Sequence, residues 1–265
     1  MTATVVAFAV LLTVAAGQSA PWAVDTISAQ QWNDFIRWLA VQSPNGDPRR
    51  LLAPYRDELI RQGVPSVEAT ARSAAVTSLA FRRADAVRLL WDKVYAGNNR
   101  VFADRPTELL VRAVEGRPPG VALDVGMGQG RNTLFLALNK WQVSGFDPSA
   151  EGVRQAEDRA RSLKLVIDTK VTTDDAFEFG RGRWDLIVVT YVRALTQKDA
   201  ARFWNALKPG GMVVYENAAT DGNEILNAFR AYRIVRWEDV VAAPDWGTGD
   251  KIRVQRLIAE KPGSR

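Results

Sequence analysis

Apolar residues recur in three rhythms along this chain, and each predicts a different kind of segment. Val5 to Ala16 is a nearly unbroken apolar run, inside residues 2 to 24, which carry no charged side chain. From Gln30 to Tyr95 the spacing becomes helical, because residues three and four apart share a helix face. Trp32, Phe35, Ile36 and Leu39 fall on one face of a predicted helix over Gln30 to Val41. Arg49 to Gln62 is predicted as a second helix, with Gly63 ending it. Ser66 is the expected N-cap of a third helical stretch, which breaks near Arg82-Arg83 and ends at Tyr95. The Trp and Tyr residues on these faces are read as core, with a lid role as the alternative. Residues 25–97 thus form an expected helical extension, after a signal-like segment over 1–24 and ahead of a second domain over 98–265.

Beyond Gly120 the third rhythm begins, in which short apolar runs alternate with amphipathic stretches. Val121 to Val125 reads as a buried strand, followed by a helix from Asn132. Trp141 to Phe146 is the next strand, and Ser149 to Leu163 a helix with Val153, Ala156, Ala160 and Leu163 facing inward. Val166 to Val171 is a weak third strand and Trp184 to Thr190 a strong fourth. A helix over Thr196 to Leu207, the turn Lys208-Pro209-Gly210-Gly211 and a fifth strand over Met212 to Glu216 follow. Asn223 to Phe229 is a helix, and Tyr232 to Val241 and Lys251 to Ala259 close the chain as two β segments around Pro244-Asp245-Trp246-Gly247. Alternation of this kind implies an α/β fold with a mainly parallel sheet covered by helices.

Candidate chemistry gathers after the first strand. Gly126, Gly128 and Gly130 stand at alternate positions between that strand and the next helix. Strand, glycine turn and helix bring bare backbone against a bound nucleotide, since glycine accepts positive φ and has no Cβ. Asp147 ends the second strand, roughly 20 residues on, where such folds present a carboxylate to ribose hydroxyls. A helix N-terminal acid, favoured by the macrodipole, is the competing reading of Asp147. Asp124 sets a carboxylate immediately ahead of the glycines, where a pyrophosphate would be repelled.

Composition narrows the chemistry further. The chain has 265 residues, no cysteine and no histidine, which excludes disulfides, Cys/His metal sites, cysteine nucleophiles and histidine bases. Its net charge of +5 comes from scattered residues, with Arg49-Arg50 and Arg82-Arg83 only as pairs. A solvated basic surface explains this better than a nucleic-acid site, so no nucleic acid is expected as partner.

Leu123-Asp124-Val125-Gly126-Met127-Gly128-Gln129-Gly130-Arg131-Asn132, followed by Gly145-Phe146-Asp147, resembles the class I S-adenosylmethionine-dependent methyltransferases. Trp184-Asp185-Leu186-Ile187 and Leu207-Lys208-Pro209-Gly210-Gly211 are similar to that family's fourth strand and the turn before its fifth. The nearest variety is the small-molecule group that includes tellurite-resistance and thiopurine-type enzymes. The resemblance covers about residues 92 to 260. It implies a Rossmann-like seven-stranded sheet, mostly parallel, with a C-terminal antiparallel pair. It also implies S-adenosyl-L-methionine as cofactor and a small-molecule methyl acceptor, with soft nucleophiles such as thiols, selenols or tellurium species among the classes it admits.

By that resemblance Asp124, Gly126, Gly128, Gly130, Asp147 and Thr190 contact the cofactor. Arg131 is open to a contact with the cofactor carboxylate or to a salt bridge. Asp174 or Asp175 is expected beside adenine. Tyr191 and Glu216 are the candidate catalytic residues if a base is needed, although a structural role is the favoured reading of either one alone. Amino-directed nucleic-acid methyltransferases share an Asn/Asp-Pro-Pro-aromatic motif after the fourth strand, where this chain has Thr190-Tyr191-Val192-Arg193. Asn139 replaces a glycine often found before the second strand, and is expected to take the left-handed conformation.

The first segment points elsewhere. Val5 to Ala16 resembles the centre of a secretory signal, but no Lys or Arg precedes it, the first basic residue being Arg37. An export signal or membrane anchor, a start assigned too far upstream and a packed helix all fit. The first would place the chain in the envelope or periplasm, whereas the cofactor is made in the cytoplasm. A noncatalytic envelope protein that keeps the fold is therefore the alternative to an enzyme. Neither the methyl acceptor nor an oligomeric state follows from the residues.

Overall fold

The computed structural model describes residues 27–97, 102–220, 222–245 and 250–263. The signal-like segment lies outside the described residues. Among those described, no helix is long and apolar enough to cross a membrane. The chain divides into two compact units: a helical one with residues 27–97 and Pro148–Gly152, and a sheet unit with Phe102–Asp147 and Val153 onward.

The helical unit opens with α1 (Ala29–Val41), started by a capping box between Ser28 and Gln31. Trp32, Phe35 and Leu39 are its buried stripe. The expected second helix is two, α2 (Pro48–Leu52) and α3 (Tyr55–Arg61). Pro54 divides them, because a proline has no N–H to donate back to the preceding turn. Ser66 does not cap α4 (Ser66–Ala80) but is its first residue, with Pro65 in the cap position and no side-chain cap bond. The break at Arg82-Arg83 is present, and α5 (Ala84–Tyr95) follows. The aromatics here are core: Phe35 meets Tyr55 edge-on at 5.0 Å, and Trp32 Nε1 donates to Asp85 Oδ2 at 2.8 Å.

The sheet unit begins with α6 (Glu108–Val114), then β1 (Val121–Val125), α7 (Arg131–Leu138) and β2 (Gln142–Asp147). Next come α8 (Ala150–Ser162), β3 (Asp168–Val171), β4 (Trp184–Thr190), α9 (Gln197–Ala206) and β5 (Leu207–Ala218). α10 (Glu224–Ala228), β6 (Arg233–Ala242) and β7 (Ile252–Glu260) complete it. The strand order is β3-β2-β1-β4-β5-β7-β6, parallel through β5 and antiparallel at β7 and β6. Leu186 and Val188 of β4 join one core cluster, and Ile187 and Val189 the other. Both sheet faces are thus covered, which is why the strand is apolar without alternation from Leu186 to Val189.

Three local expectations change. Leu163 is 50% exposed, because α8 ends before it and Lys164 turns the chain at φ 57°. Lys140, not Asn139, takes the left-handed conformation before β2, at φ 66° against −90°. The turn at residues 208–211 is a bulge inside β5, since Trp184 pairs with Leu207 and Leu186 already with Met212.

Candidate functional site

The site is built at the carboxyl ends of β1, β2, β4 and β5, where open α/β sheets bind ligands. Behind β1 the chain turns through Gly126, Gly128 and Gly130, all at positive φ. Gly126 has a second reason to be glycine: a Cβ there would stand 2.5 Å from Val192 Cγ2. At Gly130 a Cβ would come within 2.8 Å of the Ala156 Cβ on α8. The turn is pinned to β2, with Met127 N donating to Phe146 O at 3.0 Å and Gly128 N to Asp147 Oδ2 at 2.9 Å.

Asp124 is 2% exposed, and its Oδ2 accepts from Thr133 Oγ1 at 2.7 Å. Burial pushes its carboxyl up to about 6, against the Thr133 hydrogen bond and the Arg131 charge. Arg131, the first residue of α7, forms an ion pair with Asp245 at 3.3 Å. The salt bridge is therefore the contact this structure shows for Arg131.

Thr190, Tyr191 and Glu216 converge at the ends of β4 and β5. Thr190 Oγ1 accepts from Asn132 Nδ2 at 3.0 Å, and Asn132 Oδ1 accepts from Thr107 N at 3.0 Å. Tyr191 sits at φ 56°, a strained backbone for a bulky side chain. Two bonds hold it there: its N donates to Glu216 O at 2.8 Å and its hydroxyl to Glu216 Oε1 at 2.5 Å. Glu216 is 2% exposed, and its Oε2 accepts from Arg256 Nε at 3.1 Å. Burial raises the Glu216 carboxyl, while Tyr191 and Arg256 oppose the rise. Burial and then the Glu216 charge push the Tyr191 phenol far up. Tyr191 is thus a protonated donor, and Glu216 the acceptor of the pair.

The two aspartates after β3 differ. Asp174 is bound by Arg193, whose Nε and Nη2 donate to its Oδ2 at 2.8 and 2.5 Å. Arg193 also donates to both Asp199 oxygens, at 2.8 and 2.7 Å. Burial alone would raise Asp199, but the Arg193 bonds hold its carboxyl down at about 2. Asp175 is exposed in the adjoining turn. Phe177 stacks on Phe146 at 4.2 Å.

Thus Asp124, the glycines, Arg131 and Asp147 form one cluster, and Thr190, Tyr191 and Glu216 a second. Asn132 ties the second to α7. Asn132, Thr133, Arg193, Asp245 and Arg256 were not singled out from the sequence. The first two directly follow the glycine run and were within reach of a local reading. No group of three or more acidic side chains that could hold a metal occurs among the described residues.

Residues 122–211, a third of the chain, match the family model described as a methyltransferase domain. Ribosomal RNA small subunit methyltransferase C of Alcanivorax borkumensis is 31% identical over 122 residues, or 42% of this chain. The chain spans 37% of that protein's length. TehB from Haemophilus influenzae superposes with a TM-score of 0.52 at 20% identity, over 66% of each chain. A structure reported as "Conversion of a Disulfide Bond into a Thioacetal Group during Echinomycin Biosynthesis" gives 0.54 at 17% identity. It covers 67% of this chain and 94% of that one. These two likenesses are likenesses of fold.

Residues 122–211 of the sheet unit thus match a methyltransferase domain, a class that the sequence resemblance makes S-adenosylmethionine-dependent. S-adenosylmethionine is the cofactor of that class, and the residues present fit it. Carboxylates at the ends of β1 and β2 suit a cationic sulfonium and ribose hydroxyls, and would repel a pyrophosphate. The glycine turn admits a nucleoside to the backbone.

Proposed function

We propose that the chain transfers a methyl group from S-adenosylmethionine to a small-molecule acceptor, with soft nucleophiles as the favoured class. The observation that carries this reading is the Tyr191–Glu216–Arg256 chain, which runs from the end of β4 across β5 to the middle of β7. Glu216 already accepts from a phenol on one oxygen and a guanidinium on the other, so both oxygens are engaged within the protein rather than presented to an acceptor. An acceptor that needs no deprotonation, such as a thiolate or selenolate, matches such a site. When bound, S-adenosylmethionine supplies an electrophilic methyl on a good, neutral leaving group. The protein's part is alignment and exclusion of water. Asp147 would hold the ribose, Asp124 would face the cationic end, and Tyr191 would border the acceptor.

The matched Alcanivorax borkumensis protein is named for ribosomal RNA, but the chain spans too little of it to inherit that substrate. Thr190-Tyr191-Val192-Arg193 after β4 also departs from the amino-directed nucleic-acid pattern. The test is transfer of isotope-labelled methyl to a panel of thiols, selenols, amines and RNA. Label in the thiol or selenol products supports the reading, and label in RNA alone overturns it. Calorimetry with S-adenosylhomocysteine tests the cofactor separately, and a folded protein that fails to bind it would sink the whole assignment.

A further inference from the structure

Three consecutive residues leave the end of β4 and meet three different walls of the site. Tyr191 donates to Glu216 on β5, Val192 lies against the glycine turn at Gly126, and Arg193 reaches Asp174 beyond β3. The last reach is long, because β2 and β1 stand between β3 and β4 in the sheet. Arg193 and Asp174 therefore meet across the carboxyl ends of the two strands that carry Asp124 and Asp147. Neither segment is held by regular structure: residues 172–183 and 191–196 form no helix or strand.

Arg193 is anchored on one side and bridges to the other. Its Nη1 and Nη2 donate to the two oxygens of Asp199, at 2.8 and 2.7 Å. Asp199 belongs to the capping box that starts α9, so the anchor is a buried helix start rather than another loop. Nε and Nη2 also donate to Asp174 Oδ2, and Arg202 Nη1 of α9 donates to the Asp174 carbonyl at 2.9 Å. A guanidinium can serve two carboxylates at once because its donors form a planar fork, which an ammonium cannot match. The Asp174 carboxylate is thus a partner of Arg193, and what the network fixes is the main chain leading to Asp175 and Phe177. We propose that Arg193 is a positioning residue that couples the nucleoside end of the site to its acceptor end, by tying the segment after β3 to the segment that carries Tyr191. A ligand that orders one segment then orders the other. This rests on the methyl-transfer reading above, and it gives the chain a means of settling Tyr191 as the donor binds.

The test is amide hydrogen exchange on the full chain with 5′-methylthioadenosine at saturation. This ligand carries the nucleoside and thioether of the donor and has no amino-acid end. In the wild type it is expected to slow exchange at residues 173–177 and, through Arg193, at residues 192–195. Arg193→Lys keeps the charge and loses the fork; there the slowing is expected to persist at 173–177 and to fall away at 192–195. Wild-type slowing confined to 173–177, or slowing at 192–195 that Arg193→Lys leaves intact, overturns the coupling. If Arg193→Lys does not fold, Asp174→Asn cuts the bridge from its other end and is judged by the same outcomes. Calorimetry with S-adenosylhomocysteine gives a second readout, which a merely structural bridge would not move. Each single variant is expected to bind it about fivefold more weakly. The double variant is expected to bind no more weakly than the worse single, because both changes break one bridge. No loss in either single variant overturns the coupling, and so do losses that add, since Asp174 would then act on the ligand without Arg193. A wild-type chain that binds neither ligand defeats the methyl-transfer reading as well.

Discussion

Asp124 stands close to the point of ionisation near neutral pH, because burial moves its carboxyl from 3.8 up to about 6. A cationic ligand favours the ionised form. Binding of S-adenosylmethionine is therefore expected to tighten as pH rises through about 6, and Asp124→Asn to flatten that profile in calorimetry. The stability of the ligand-free chain runs the other way. Its folded pKa lies above the unfolded value, so the contribution of Asp124 is full below 3.8 and lost as pH rises through about 6. Urea titrations across that window are expected to show less decline for Asp124→Asn than for wild type. Asp147 is the simpler case. Asp147→Ala is expected to weaken S-adenosylhomocysteine by about 1.5–3 kcal/mol, the size of hydrogen bonds to a charged group.

At the scale of elements, β7 fixes the chemistry of β5. Glu216 and Arg256 are cross-strand partners in the antiparallel register, so strand pairing alone sets a cation beside the buried acid. Arg256→Met would leave Glu216 buried without a counter-charge. With Arg256 23% exposed, the expected cost is about 3 kcal/mol, the low end for a broken buried pair, read as a shift in urea midpoint. This register also explains what the sequence could and could not tell. Strands β1 and β4 were legible because two covered faces demand unbroken apolar runs. The glycine turn, Asp124 and Asp147 were legible because their spacing is local. Arg256 and Asp245 were not, since their partners are assigned by pairing and loop closure over long separations. The false second helix has a smaller cause: the periodicity continued across Pro54, and the missing N–H was outweighed.

For the whole molecule, fold and function separate. The sheet and its glycine turn define a domain class, whereas the acceptor depends on what the ends of β4 and β5 admit. The net charge of +5 does not decide it, because many arginines are already paired with neighbouring acids on the surface. The compartment is a separate question, carried by Val5 to Ala16. A fusion of residues 1–40 to a reporter active only after export is expected to stay silent if the chain works where S-adenosylmethionine is made. An active reporter would instead favour the envelope reading.

Tyr191 leaves one more consequence. A left-handed backbone at φ 56° suits asparagine or glycine far better than tyrosine, and costs roughly 1–3 kcal/mol at a bulky residue. Asparagine would relax the main chain but take the phenol from Glu216. Tyr191→Asn is thus expected to lose methyl transfer by more than it loses melting temperature, since relief of the backbone offsets part of the lost hydrogen bond. The position trades ease of folding for the placement of one hydroxyl, so selection for robustness alone would be expected to remove the tyrosine first.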